Sequence, residues 1–274
     1  MNEGDIAEKD EEKATAGNGE EEVAAGNDEE KTTTGNDEGE ATAENELTMD
    51  IWGHIEELRA RLLKSLLALL VTTLISFAFA QQIIEILAVP IGGVENLVSI
   101  EMTENVSVFM RVSLLSGVIL AFPFIVYQIM AFIMPGLKPG ERKWIYLSIP
   151  IATILFLLGV AFANYVMLPA AIPVLVNFLG TPTTPRLSNY LNFVTNLLFW
   201  LGICFEAPLV VFILAKLKLV TPQQLLKQWR IAIVVIAILA AIISPTVDPI
   251  NMGIIMVPLF SLYLLSILFA YFAK

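Results

Sequence analysis

Residues 49–64 read Met49-Asp-Ile-Trp-Gly-His-Ile-Glu-Glu-Leu-Arg-Ala-Arg-Leu-Leu-Lys64, and they separate two unlike parts of a 274-residue chain. Ahead of them runs an acidic segment with no apolar pattern; behind them come long apolar runs and short connections. The stretch itself has helical period. Ile51, Ile55, Leu58 and Leu62 fall on one face, and His54, Glu57, Arg61 and Lys64 fall on another. Asp50 is placed to cap the helix N-terminus. This charged collar marks the edge of the apolar body.

Working back from the collar, the formal net charge of -11 averages two opposite balances. Residues 1–50 hold 18 acids against Lys9, Lys13 and Lys31, a net of -15, whereas residues 51–274 hold nine acids and 13 bases, a net of +4. Gly-Asn recurs at 17, 26 and 35, with Glu44-Asn45 in the same phase, so the segment repeats every nine residues. Up to residue 48 its large apolar side chains are Met1, Ile6, Val23 and Leu47. So few cannot offset the entropy of ordering the backbone, and residues 1–48 are expected to be a disordered acidic tail. The tail lacks the basic start and apolar stretch of a signal peptide, and the Arg-rich composition of an organelle transit peptide.

Working forward, residues 49–274 are expected to form one membrane domain. The whole chain is 56% hydrophobic and 16% charged, with mean hydropathy +0.72. Apolar runs occupy about 62–80, 106–133, 144–168, 191–215, 231–244 and 252–272. The first four are long enough for the roughly 30 Å hydrocarbon core. The fifth, at about 1.5 Å per residue, spans only some 22 Å and is read as one arm of a short hairpin in a locally thinned bilayer. The connections 81–105 and 169–190 read as loops, the second because it carries four prolines. With six spans and the N-terminus inside, eleven Lys and Arg of the body lie on the cytoplasmic side, against Arg111 and Arg186 on the other. Both termini are therefore expected in the cytoplasm. Trp144, Tyr146, Tyr190 and Trp229 fall near span ends, where an aromatic belt belongs.

Glu206 is the sharpest single feature. It lies inside the fourth span, in Phe205-Glu-Ala-Pro208, where an acid costs a few kcal/mol unless it faces a cavity, a partner or a substrate path. Gly202, one turn earlier, is expected to leave a groove beside it. The collar's Glu57 has an ordinary partner in Arg61, four residues on, and Glu141 sits beside Arg142 and Lys143 as a loop charge. Gln128 within the second span and Arg111 at its far end are expected to be fixed by neighbouring polar groups, and Asp248 reads as a turn residue. Cys204 is the single cysteine and His54 the single histidine, so neither an intrachain disulfide nor a Cys/His metal site can form, and no cofactor is expected. Nucleophile elbow, zinc-protease and Walker motifs are missing, which argues against an enzyme. On the residues alone, the strongest alternative is an ion-coupled secondary transporter using Glu206 as the coupling carboxylate. The single intramembrane acid and the lack of an internal repeat weigh against it.

Several short motifs, in order, resemble the TatC family, the receptor subunit of the twin-arginine protein translocase. They are His54-x-x-Glu57-Leu-Arg59-x-Arg61-Leu62; Ala88-Val-Pro90; Tyr127-Gln128 with Ala131-Phe-Ile133, Pro135-Gly-Leu137 and Gly140-Glu-Arg142; Gly159-Val-Ala-Phe162 with Pro169; and Phe205-Glu206-Ala-Pro208. The resemblance covers about 50–274. It implies an all-α integral membrane protein of the plasma (inner) membrane, with six transmembrane helices arranged as a cup, the last two short. It further implies binding of signal peptides with paired arginines, with Glu57 and Glu141 receiving them beside Arg59 and Arg61, which also hold the collar inside. A guanidinium fork matches a carboxylate bidentately, so two arginines call for two carboxylates. Glu206 and Gln128 would meet partner subunits or the inserting peptide, and Pro90 and Asp248 match further functional positions. TatA-type and TatB-type single-span subunits, other TatC copies and membrane lipid would be the partners, without nucleic acid, and the proton-motive force would drive export of folded proteins. The acidic tail lies outside the pattern, and Ile250, Asn251 and Met252 stand where polar residues are expected after Asp248.

Overall fold

The computed structural model describes residues 37–136, 142–176, 184–244 and 249–273, with backbone alone for 37–51. The chain divides into two units, Met1–Asp50 and Ile51–Lys274. The first helix, α1, covers Asp37–Phe77. Asp50 is therefore inside a helix and is not its cap. Neither Gly nor Pro interrupts residues 40–52, and Ala and Glu there favour helix.

The second unit is helical, and among its described residues five segments are long and apolar enough to cross a membrane: Trp52–Phe77, Glu104–Ile133, Arg142–Val176, Leu187–Lys216 and Pro249–Phe272. After α1 the chain turns at Ala78–Phe79 into a short helix, α2 (Ala80–Ala88), where the sequence reads as loop. Its continuation is a tight turn at Val89–Ile91 that ends on Gly92 and Gly93. Both have positive φ (93° and 112°), a conformation open to glycine and costly for other residues. Helix α3 (Glu104–Ile133) follows and contains Pro123.

The third span is longer than its apolar run suggests. Helix α4 (Arg142–Phe162) passes through one π-turn, Ala163–Met167, into α5 (Leu168–Val176). Pro169 falls in the first turn after the π-turn, where a missing N–H is cheapest, so the helix carries on past a residue that reads as a stop. The fourth span is two helices, α6 (Leu187–Phe205) and α7 (Ala207–Lys216), meeting at Glu206. Pro208 cannot donate to the carbonyl four residues back, and Glu206 N–H bonds Ile203 at 3.0 Å in a tighter turn. A capping box at Thr221 and Gln224 starts α8 (Pro222–Lys227), which leads into α9 (Trp229–Ile243). At 15 residues α9 covers about 22 Å, as expected of the fifth span. The last helix, α10 (Pro249–Phe272), has 24 residues, about 36 Å, so of the two final helices only α9 is shorter than the hydrocarbon core.

Helix α1 runs antiparallel to α3 and meets it at four levels. His54 stacks on Phe132 with centroids 4.2 Å apart; Arg61 reaches Gln128; Thr72 Oγ1 donates to Gly117 O at 2.8 Å; and Phe77 meets Phe109 edge-on. Gly117 is what permits the approach, since a Cβ there would lie 2.3 Å from Thr73 Oγ1. Most of the remaining surface of Trp52–Phe77 is open: 6% of its apolar window is buried, against 28–33% in the other long spans. The main core lies between α3, α4, α5, α6, α9 and α10, around Val112, Leu168, Leu191, Leu197, Leu201 and Ile255.

Helices α4 and α6 cross closely at Gly159 and Gly202. A Cβ on Gly159 would come within 2.9 Å of Leu201 O, and one on Gly202 within 2.7 Å of Phe156 Cε2. The groove expected at Gly202 is thus filled by the Phe156 ring, which is fully buried and stacked on Phe122 at 3.7 Å. Buried and stacked on Phe122, that ring has little room to yield. Gly202→Val is expected to cost about 1–3 kcal/mol by overpacking. Gly53→Ala, where a Cβ meets nothing within 4 Å, should be close to neutral. Thermal unfolding of the two variants in detergent checks the pair, and equal midpoints would contradict it.

Candidate functional site

At the collar, helical spacing brings Glu57 and Arg61 onto one face of α1. Arg61 donates from Nε (2.9 Å) and Nη2 (2.5 Å) to the same oxygen, Glu57 Oε1. Its third nitrogen, Nη1, lies 3.5 Å from Oε1 of Gln128, which is buried on α3. Among the described residues the charged neighbour of Glu57 Oε2 is His54 Nδ1, at 3.9 Å, and the Glu57 side chain is one-third exposed. The arrangement is a carboxylate with one oxygen engaged and one available, braced through Arg61 to a second helix. Gln128 is fixed by a polar neighbour, as its place within a span requires, and the neighbour is Arg61. Arg59 is exposed on the same helix. Glu141 lies outside the described residues, as does Asp248.

Glu206 sits at the joint between α6 and α7. Its backbone carbonyl accepts from Val210 N at 2.9 Å, and its side-chain Oε1 is buried with no hydrogen-bond partner among the described residues. A buried acceptor left unpaired costs about 1–3 kcal/mol, so the position is held at a price in stability by the packing around it.

On the side of the body away from the collar, Pro90 is half-buried in the Val89–Ile91 turn. Tyr190 O–H donates to Leu87 O at 2.8 Å just before that turn, so Tyr190 is a buried tie between α6 and α2 and not a member of an aromatic belt. A second tie escapes a reading by period and spacing. Glu104, the first residue of α3, is buried and accepts from Ser188 N at 2.6 Å, Ile100 N at 3.0 Å and Arg186 Nε at 3.0 Å. Arg186 also pairs with Glu101 at 2.8 Å. The hydrogen bonds that Arg186 donates to Glu101 and Glu104 hold the guanidinium proton more tightly than usual. A one-residue bridge between Val98 and Arg186 completes the junction. The available signal is the charge count: four glutamates in 81–105 without a base, and Arg186 as the one base of 169–190.

The profile of the family described as Sec-independent protein translocase protein (TatC) matches residues 53–258. The chain belongs to the TatC family. The TatC match starts inside the collar and ends within α10, leaving the acidic tail outside. The chain is 39% identical over 226 residues to the Sec-independent protein translocase protein TatC of Deinococcus radiodurans, covering 79% of this chain and 84% of that one. It is 36% identical over 229 residues to TatC of Carboxydothermus hydrogenoformans, covering 82% and 94%. A crystal structure of the twin arginine translocase receptor TatC superposes with a TM-score of 0.72 at 34% identity, covering 80% of this chain and 99% of that one. The protein is thus a multi-pass membrane protein of a translocase family with the TatC fold.

Proposed function

We propose that this chain is the receptor subunit of a twin-arginine translocase, which binds paired-arginine signal peptides of folded proteins and exports them at the expense of the proton-motive force. The match of the TatC family from the collar into α10 carries the reading. The collar supports it in detail, because Glu57 keeps Oε2 open while Arg61 and Gln128 brace it. One signal arginine would use Glu57 and the other Glu141, with Arg59 and Arg61 completing the collar; Arg61 positions the carboxylate. The eleven-to-two distribution of Lys and Arg supports an orientation with both termini in the cytoplasm, and the membrane would be the plasma (inner) membrane. TatA-type and TatB-type single-span subunits and further TatC copies would assemble with it, and Pro90 and Asp248 would act in the outer corner. The acidic segment 1–48 would be a solvated tail outside the membrane domain.

A photo-crosslinker placed at Glu56, beside the site, is expected to capture a labelled paired-arginine signal peptide and not its paired-lysine form, since an ammonium lacks the planar fork. Equal labelling by both peptides would overturn the assignment. For Glu206, the unpaired oxygen gives the reason to expect a donor from a partner subunit or the inserting peptide. Glu206→Ala is expected to insert normally and to lower export about tenfold or more, the loss of one charge-assisted hydrogen bond at about 1.5–3 kcal/mol. Export of a reporter at the wild-type rate would assign the carboxyl to packing alone.

A further inference from the structure

Arg111 has no assigned role, and its surroundings are unusual for a cation within a span. It is exposed on α3, and no acid or other described residue forms an ion pair or hydrogen bond with it. The polar anchor expected from its neighbours is therefore not supplied by side-chain bonding. The acid that opens α3, Glu104, is already committed to Arg186 and to backbone N–H groups. The 30 residues of α3 extend about 45 Å, overshooting the hydrocarbon core by about 15 Å. Shared between the two ends, that overshoot places the Arg111 backbone, about 10 Å from the start of the helix, only a few ångströms inside the hydrocarbon boundary. A long arginine side chain reaches from there to the level of lipid phosphates.

Arg111 also lines a groove of about 570 Å³ between α1, α3 and α6. Phe77, Met110, Leu114 and Phe199 give it an apolar floor, and Asn196 stands among the polar groups of its wall. Thr73 Oγ1, buried and without a hydrogen-bond partner among the described residues, belongs to the same lining. Met110 and Leu114 are half exposed, on a surface that lipid covers in a membrane. A cation at headgroup depth above an apolar groove, lacking a counter-charge among the described residues, matches one occupant in both parts.

We propose that this groove is a phospholipid site in the leaflet on the Glu104 side, with the lipid phosphodiester held by Arg111 and an acyl chain lying over Met110, Leu114 and Phe199. The pairing is a charge-assisted hydrogen bond between guanidinium and phosphate, the geometry that arginine's fork favours. The site is separate from the collar and does not depend on the translocase reading.

Native mass spectrometry of the full chain in detergent, titrated with palmitoyl-oleoyl-phosphatidylglycerol, tests it. The wild type is expected to retain one more phospholipid than Arg111→Gln at matched lipid concentration, with at least a fivefold difference in apparent affinity. Arg111→Lys should keep most of the binding, and dioleoylglycerol, which has no phosphate, should not distinguish the proteins. Equal phosphatidylglycerol retention by wild type and Arg111→Gln overturns the proposal, as does a wild-type preference for dioleoylglycerol. Should Arg111→Gln fail to fold, Leu114→Trp keeps the cation while filling the groove; retention of the extra lipid in that variant overturns the proposal equally. In cell membranes a photo-crosslinker at Met110 should acquire a lipid-sized mass. A protein adduct there would replace the lipid with a partner helix and overturn the assignment.

Discussion

Glu57→Ala is expected to weaken binding of a paired-arginine signal peptide by about 10- to 100-fold, the loss of one charge-assisted contact worth about 1.5–3 kcal/mol. The reason lies in how the carboxylate is used. Arg61 takes Oε1 with two nitrogens and keeps its third near Gln128, so Oε2 would be the oxygen offered to an incoming guanidinium in the proposed site. Two consequences separate this arrangement from a bare salt bridge on a helix surface. Glu57→Gln keeps the shape and one acceptor without the charge, and is expected to fall between wild type and Glu57→Ala. Arg61→Ala frees the second oxygen but releases the brace to α3, and is expected to weaken binding by less than Glu57→Ala does. If Arg61 merely competed for the carboxylate, Arg61→Ala would bind more tightly than wild type. Cross-linking yield titrated against peptide concentration reads all three. An unchanged midpoint in the Glu57→Ala, Glu141→Ala double variant would remove the arginine site from the collar.

Much of this architecture is visible in the residue order because the bilayer imposes simple lengths. The apolar runs that define α1, α3, α6–α7 and α10 stand out, and the shortness of α9 follows from counting. Where tertiary contacts decide, the reading by period fails in identifiable ways. Pro169 and Pro173 look like loop residues, yet a π-turn ahead of them lets the third span continue to Val176. Gly202 looks like an opening because a glycine has no side chain, whereas Phe156 from another helix fills the place. Tyr190 has the composition of a membrane-interface residue, and its hydroxyl is instead spent on Leu87 O, 103 residues away in sequence. At the collar the i,i+4 pair of Glu57 and Arg61 was readable from spacing, but its extension to Gln128 depends on the antiparallel register of α1 and α3.

The largest stability effect is expected at Glu104, a residue that spacing does not single out. Its side chain is almost fully enclosed and gathers backbone N–H groups from the connection before α3 and from the first turn of α6, together with the Arg186 guanidinium. Removing the acceptor strands all of these donors at once, and breaking one side of an enclosed ion pair is more damaging than losing a surface pair. Glu104→Ala is therefore expected to lower the unfolding midpoint in detergent by roughly 10 °C. Arg186→Gln should be milder, because Glu104 retains its backbone donors, and Glu101→Ala should be close to neutral, since that partner is largely solvent-exposed. The order Glu104, Arg186, Glu101 is the diagnostic result. A Glu101 effect as large as that of Glu104 would mean that the surface pair, and not the enclosed carboxylate, joins the two connections. The same junction sets the height of the Val89–Ile91 turn indirectly, since Val98 and Arg186 are bridged there while Tyr190, one turn into α6, holds Leu87. Loss of Glu104 should therefore also raise the labelling rate of a cysteine introduced at Val89, whereas Gly202→Val, at the far end of α6, should not.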